Sequence, residues 1–257
     1  MASKDSIART LSIATLLCVV CSVIVSTAAV MLKPAQVANK QLDFKRNILS
    51  AAGLLDPATA VEEQFKNVEI KLVDLETGKF TTAVDADKYD QSKAAKDPEQ
   101  SESLSRDEDL AKIGRVEKYS KIYIANTAEG KQIIVLPVRG YGLWSTLYGF
   151  LAIEGDMNTV IGLGFYQHGE TPGLGGEVDN PRWKALWPGK KLFNEDGSLA
   201  IAVIKGSVDT NAAGAEHKVD GLSGATLTSK GVHNLLQFWL GDNGYAAFLA
   251  NMKKGEA

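Results

Sequence analysis

The segment Asp220-Gly221-Leu222-Ser223-Gly224-Ala225-Thr226-Leu227-Thr228 brings three hydroxyls and two glycines together just before an amphipathic stretch. Val232, Leu235, Leu236 and Trp239 recur at i, i+3, i+4 and i+7, which predicts a helix with one apolar face. Gly241 and Gly244 supply its stop signals. Ser223, Thr226 and Thr228 fall where N-cap residues sit, beside N–H groups with no intrahelical acceptor. Those donors and the helix dipole favour an anion, most commonly a phosphate. The same residues also describe a plain glycine turn with Ser/Thr caps, and their spacing alone leaves both open.

Two further segments carry candidate binding residues. Glu170-Thr171-Pro172-Gly173-Leu174-Gly175-Gly176-Glu177 would let the backbone lie close to a flat ligand, with Leu174 on a ring face. A Gly/Pro surface loop is the alternative. No G-x-G-x-x-G opens a helix here and no Walker A pattern is present, so neither dinucleotide nor ATP binding has support. Gly140-Tyr141-Gly142-Leu143-Trp144-Ser145-Thr146-Leu147-Tyr148-Gly149 offers Trp144 as an aromatic wall or as a core tryptophan.

Ser223-Gly224-Ala225-Thr226 after Asp220-Gly221 resembles the flavinylation motif of FMN-binding domains, and the other two segments resemble that family in the same order. The resemblance implies that Thr226 carries one FMN covalently through a phosphoester. It implies that the loop with Glu170, Thr171, Gly173, Leu174 and Gly175 faces the isoalloxazine, and that Trp144 borders the pocket. Ser223, Gly224, Ala225 and Thr228 complete the implied cofactor site. Asp220 is implied in recognition by a flavin transferase; its plain alternative is an Asx turn. A threonine hydroxyl is a weak nucleophile at neutral pH, so a separate transferase is expected.

Across the whole chain the layout resembles the C-subunit family of sodium-translocating NADH:quinone oxidoreductases. That likeness implies a membrane complex with subunits A, B, D, E and F that oxidises NADH, reduces ubiquinone and moves sodium outward. With no nicotinamide site visible, this chain is expected to pass single electrons and to hold no catalytic residue and no metal. Two alternatives stand beside this: the homologous flavin subunit of the ferredoxin:NAD electron-transport complex, and a non-redox assembly subunit.

These segments need elements to position them. From Thr10 to Leu32 no residue is charged, and 23 helical residues span about 34 Å, enough for a hydrocarbon core of about 30 Å. Signal h-regions are shorter, at about 7–15 residues, so a retained anchor is expected, although Ser26-Thr27-Ala28-Ala29 could serve as a cleavage site. Lys4 and Arg9 favour a cytoplasmic N-terminus, whereas Lys33, Lys40, Lys45 and Arg46 argue the other way. Long domains are translocated largely regardless of such charge. The family resemblance implies an inner-membrane protein with the N-terminus cytoplasmic and the flavin domain periplasmic. Cys18 and Cys21 are the only cysteines, and both lie in the span. They are expected to act as small hydrophobes; a C-x-x-C redox or metal pair is the alternative. An exported portion without cysteine suits an oxidising compartment.

The net charge is −3 with no extended basic stripe, which argues against nucleic acid as a partner. His168, His217 and His233 match no usual zinc spacing. His168, beside the Glu170 loop, is expected to be a surface histidine or to take a redox-linked proton. His233 is expected to be a packing or surface residue.

The remainder predicts an α+β domain with a mixed or antiparallel sheet and flanking helices. A helix is expected over 35–52, with Val37, Leu42, Ile48 and Leu49 apolar, and a short one around Val61 and Phe65. A hairpin is expected through Val68, Ile70 and Leu72, a turn at Glu76-Thr77-Gly78, and 80–84. Strands are expected at 119–125, 132–138, 147–153, 160–166 and 198–204, with a short helix at 182–186. The polar stretch 85–109 is expected to be a surface excursion. The expected divisions are an anchor over 1–33 (span about 10–32), a membrane-proximal region over 34–118 and an FMN-binding domain over 119–257.

Overall fold

A computed structural model describes residues 6–127 and 129–257; Lys4, used above for the inside flank, lies outside them. The chain divides into two compact units that meet between Asp43 and Phe44. In the first, residues 7–43 form most of helix α1 (Ile7–Ala51). Among the described residues, this is the one helix long and apolar enough to cross a membrane, with a mean hydropathy of 2.5 in its best window. One helix therefore replaces the expected span and separate following helix. Pro34 sits inside it, forgoing one backbone hydrogen bond without ending it.

The second unit is built on a six-stranded antiparallel sheet in the order β2-β1-β5-β6-β7-β8. Its strands are β1 (Glu69–Asp74), β2 (Lys79–Thr81), β5 (Tyr119–Asn126), β6 (Gln132–Tyr141), β7 (Thr146–Glu154) and β8 (Val160–Gln167). The expected α+β class is therefore found, with the main sheet wholly antiparallel. β1 pairs with β5 from Glu69↔Ile124 to Asp74↔Tyr119, so a cut at 118/119 passes through one sheet.

Period-two alternation sorts the side chains onto two faces. Ile134, Leu136 and Val138 of β6 enter one core with Leu147, Leu151 and Ile153 of β7. Ile133, Val135, Phe150 and Ala152 enter another, closed by Ile48 and Ala51 from the end of α1. Phe44 packs edge-on against Phe150, with ring centroids 5.1 Å apart. Both faces are covered, so these strands read as nearly continuous apolar runs.

The larger core lies under α5 (Thr226–Leu240). Val232, Leu235, Leu236 and Trp239 are all buried, as their spacing predicts. The Trp239 indole donates to the Arg139 carbonyl at 2.7 Å and stacks on Tyr245 just before α6 (Ala246–Lys254).

Two expectations need correction. The stretch 85–109 is not wholly a surface excursion. It forms α3 (Gln91–Ala94), and β3 (Ser101–Ser103) pairs with β4 (Arg115–Glu117). Tyr89 and Ala94 close a small core with Leu72. The Tyr89 hydroxyl donates to the Tyr119 carbonyl, so a few apolar residues dock an otherwise polar segment. The strand expected over 198–204 shrinks to β9 (Ala202–Val203), which pairs in parallel with β10 (Lys218–Val219). Around it, Phe193 and Leu199 make only an isolated bridge. The short helix near 182–186 is α4 (Pro181–Lys184), capped by the Asn180 side chain. The short helix at Val61 and Phe65 is α2 (Val61–Phe65).

Candidate functional site

β6 and β7 pair to their ends at Tyr141↔Thr146, which leaves Gly142-Leu143-Trp144-Ser145 as the hairpin tip. The Gly142 N–H closes it onto the Ser145 carbonyl at 2.9 Å. β8 runs antiparallel to β7, so its C-terminal end delivers the 168–179 loop to the same end of the sheet. The start of α5 is brought there by its packing on β6. The three segments singled out in the sequence thus converge.

Glu170 joins them. Its side chain is buried, with the residue 5% exposed. Oε1 accepts the N–H groups of Leu143 at 3.1 Å, Trp144 at 3.0 Å and Ser145 at 3.3 Å. Oε2 accepts the Thr228 hydroxyl at 2.7 Å. Burial pushes the Glu170 carboxyl up, but these four hydrogen bonds to its ionised form outweigh it and hold it below the usual range. The clamp explains two glycines. A Cβ at Gly175 would lie 2.5 Å from Thr228 Oγ1 and 2.6 Å from Glu170 Oε2, and one at Gly142 would lie 2.7 Å from Glu170 Oε1.

His168 braces the same loop. Its Nδ1 accepts the Glu170 N–H at 3.2 Å, and its Nε2 lies 2.8 Å from Asp179 Oδ2. Thr171 contributes its carbonyl, which accepts from Leu174 and Gly176. Gly173 holds a left-handed φ of 77° at the loop's outer end.

The entry to α5 differs from the expected Ser/Thr caps. The N-cap position belongs to Ala225, and no side chain caps the first turn. Gly224 takes a left-handed φ of 72°, which turns the chain so that Ala225 is buried and Ser223 faces outward. Ser229 does the bracing instead: its hydroxyl accepts from Leu222 N–H at 2.8 Å and donates to the Ala225 carbonyl at 3.1 Å. Thr226 is therefore the first helical residue and is exposed, whereas Thr228 is fully buried. Asp220 forms no local turn. Its Oδ1 accepts from Val208 N–H, and its carbonyl accepts the Trp183 indole N–H.

Exposed apolar side chains cluster here. Outside α1, the large ones among the described residues are Leu110, Leu186 and five on the converging segments: Tyr141, Leu143, Trp144, Leu174 and Leu227. Trp144 is 67% exposed, so it is not a core tryptophan. Leu174 reaches the Ser223-Gly224-Ala225-Thr226 turn, where a Cβ on Gly224 would sit 3.1 Å from its Cδ2.

Beside Thr226 lies a cavity of about 140 Å³. Thr226, Ser229, Lys230 and His233 line it from α5, and Lys205 lines it from the facing segment. Sequence motifs missed this wall. Its α5 members repeat at i, i+3, i+4 and i+7, a polar stripe that periodicity could have revealed. Lys205 carries no local signal.

These features suit a flavin mononucleotide. An exposed hydroxyl stands at an uncapped helix start, a basic cavity adjoins it, and apolar side chains lie open nearby. Residues 142–241 match the family described as "FMN-binding domain". The chain is 57% identical over 261 residues to the C subunit of the Na(+)-translocating NADH-quinone reductase of Pseudomonas aeruginosa, covering 100% of both chains. It is 50% identical over 256 residues to the corresponding protein of Vibrio vulnificus, covering 99% of each. Among solved structures it resembles NqrC of Shewanella oneidensis, with a TM-score of 0.77 and 36% identity over 84% of this chain and 99% of that one. It also resembles the C subunit from Parabacteroides distasonis, with a TM-score of 0.66 and 30% identity over 85% and 96%.

Proposed function

The chain belongs to the C-subunit family of the Na(+)-translocating NADH-quinone reductase, and on that premise we propose that it is a membrane-anchored electron carrier holding FMN covalently on Thr226. The observation that carries the choice of atom is the contrast between two neighbouring threonines. The Thr228 hydroxyl is buried and spent on Glu170, whereas Thr226 is exposed at a helix start that no side chain caps. The ester forms between Thr226 Oγ1 and the flavin phosphate with net loss of one water. A separate flavin transferase performs the step, because a threonine hydroxyl is a weak nucleophile at neutral pH.

The flavin supplies the electron chemistry; the chain supplies position and electrostatics. Glu170 fixes the hairpin tip, the 170–175 loop and α5 relative to one another. Trp144, Leu143 and Leu174 offer apolar surface to the ring, with Thr171, Gly173 and Gly175 shaping the loop and Ser223, Gly224 and Ala225 the turn. The protein passes single electrons between neighbouring redox centres, with subunits A, B, D, E and F as its partners. α1 anchors it in the inner membrane, N-terminus cytoplasmic and flavin domain periplasmic. A covalent tether keeps the flavin at high effective concentration on an exported domain, where a released cofactor would be diluted. Intact mass with peptide mapping tests the reading. The expected finding is FMN less one water on the peptide containing Thr226; its absence from protein purified from the native membrane rejects it.

A further inference from the structure

The cavity beside Thr226 has features that neither the Glu170 clamp nor the exposed apolar cluster uses. At about 140 Å³ it is too small for a drug-sized ligand, whose pockets run about 300–1,000 Å³, but it admits a phosphate-sized group. Its charged lining is of one sign. Lys205 and Lys230, both exposed, line it, and neither belongs to an ion pair among the described residues. The remaining lining is apolar or glycine, apart from the hydroxyls of Thr226 and Ser229 and the ring of His233. Ser229 is already engaged at both ends. His233 Nδ1 is a buried ring nitrogen with no hydrogen-bond partner, and such orphaned groups are uncommon in folded proteins.

Helical side chains lean toward the preceding turn. Lys230 and His233, four and seven residues after Thr226, therefore lean toward it. We propose that this cavity seats the phosphodiester of the attached flavin, with Lys230 and Lys205 as its counter-charges and the His233 imidazole as its inner polar wall. The assignment rests on Thr226 being the attachment residue. It adds a division of labour across α5. The Thr228 side is locked to Glu170 and the hairpin tip, and the Ser229–His233 side holds the anion.

Burial, and secondarily the Lys230 charge, holds the His233 ring below its ordinary value. An anion seated in the cavity would move it back up. The charged group acting on this ring is Lys230 of α5, and Lys205, from the segment after β9, lines the same cavity.

The test follows the ring signals of the three histidines by NMR in the full-length chain in detergent. Flavinylated protein is compared with flavin-free protein made without the transferase, and His233→Gln assigns the signal. Flavinylation should raise the His233 titration midpoint by about one pH unit, the size of effect a neighbouring opposite charge produces. Inorganic phosphate should move His233 in the flavin-free chain and leave it unmoved in the flavinylated one. If mass spectrometry finds the flavin on Thr226 but His233 titrates identically with and without it, the seat is elsewhere and the attachment reading stands. If phosphate moves His233 equally in both forms, the cavity takes a free anion and the assignment fails. If the native protein carries no flavin, both readings fall.

Discussion

The Thr228 hydroxyl donates to Glu170 Oε2 at 2.7 Å, joining residues 58 apart in sequence. Glu170 Oε1 meanwhile collects three N–H groups from the tip of the β6–β7 hairpin. One buried carboxylate thus ties a loop, a hairpin and a helix into a single constellation, and the residue whose hydroxyl it engages is fully buried.

Removing this carboxylate leaves three hairpin N–H groups and one hydroxyl without their acceptor. Glu170→Ala is expected to destabilise the domain by about 2–4 kcal/mol, since it removes four hydrogen bonds to one carboxylate and strands the buried Thr228 hydroxyl. Glu170→Gln should lose less, because an amide oxygen still accepts. Denaturant unfolding of the full chain followed by tryptophan fluorescence checks both. Equal stability of wild type and Glu170→Ala would show that the clamp is not needed.

Acid should have the same target. The Glu170 carboxyl sits below its ordinary value of 4.5 in the folded chain. Its contribution is therefore fully present above that ordinary value, and is lost as pH falls from about 4.5 through the lower folded value. Stability measured across this range should drop in wild type with a component absent from Glu170→Gln. Parallel profiles for the two proteins would contradict the assignment.

Thr228→Val keeps the shape and removes the hydroxyl. It is expected to cost about 1–3 kcal/mol by leaving a buried carboxylate oxygen unpaired, while the protein still takes up flavin. Unfolding midpoints and in-gel flavin fluorescence on the same preparation separate the two effects. Loss of fluorescence with stability intact would mean that Thr228, not Thr226, is the acceptor.

The two tryptophans near α5 should behave oppositely. Trp144 is 67% exposed and Trp239 is fully buried. Trp144→Ala is expected to change stability by no more than about 0.5 kcal/mol, yet to alter the visible absorption and fluorescence of the attached flavin. Trp239→Ala should cost about 3–5 kcal/mol. A Trp144→Ala protein with wild-type flavin spectra would remove Trp144 from the flavin's surroundings.

What the sequence disclosed, and what it concealed, follows the range of the interactions. The buried face of α5 was legible because Val232, Leu235, Leu236 and Trp239 repeat locally, and the strands from 119 to 167 because both sheet faces demand apolar residues. The docking of Tyr89 and Ala94 was hidden in a polar stretch, since two residues make no period. Glu170 was marked by its motif, but its four bonds come from segments far apart in the chain. The hydroxyl caps failed for a local reason: Gly224 in a left-handed turn places Ala225 at the N-cap position, and Ser229, one turn into the helix, reaches back in their stead. Lys205 lines the same cavity as Lys230 through the packing of β9 on α5, a contact between segments distant in the chain.

The most direct measurement is the intact mass of Thr226→Ala beside wild type, both purified from a membrane containing the flavin transferase. Wild type should carry the mass of one FMN less one water, mapped to the peptide holding Thr226, and Thr226→Ala should carry none. A Thr226→Ala protein that retains this mass, or a wild type that lacks it, would contradict the assignment of this hydroxyl.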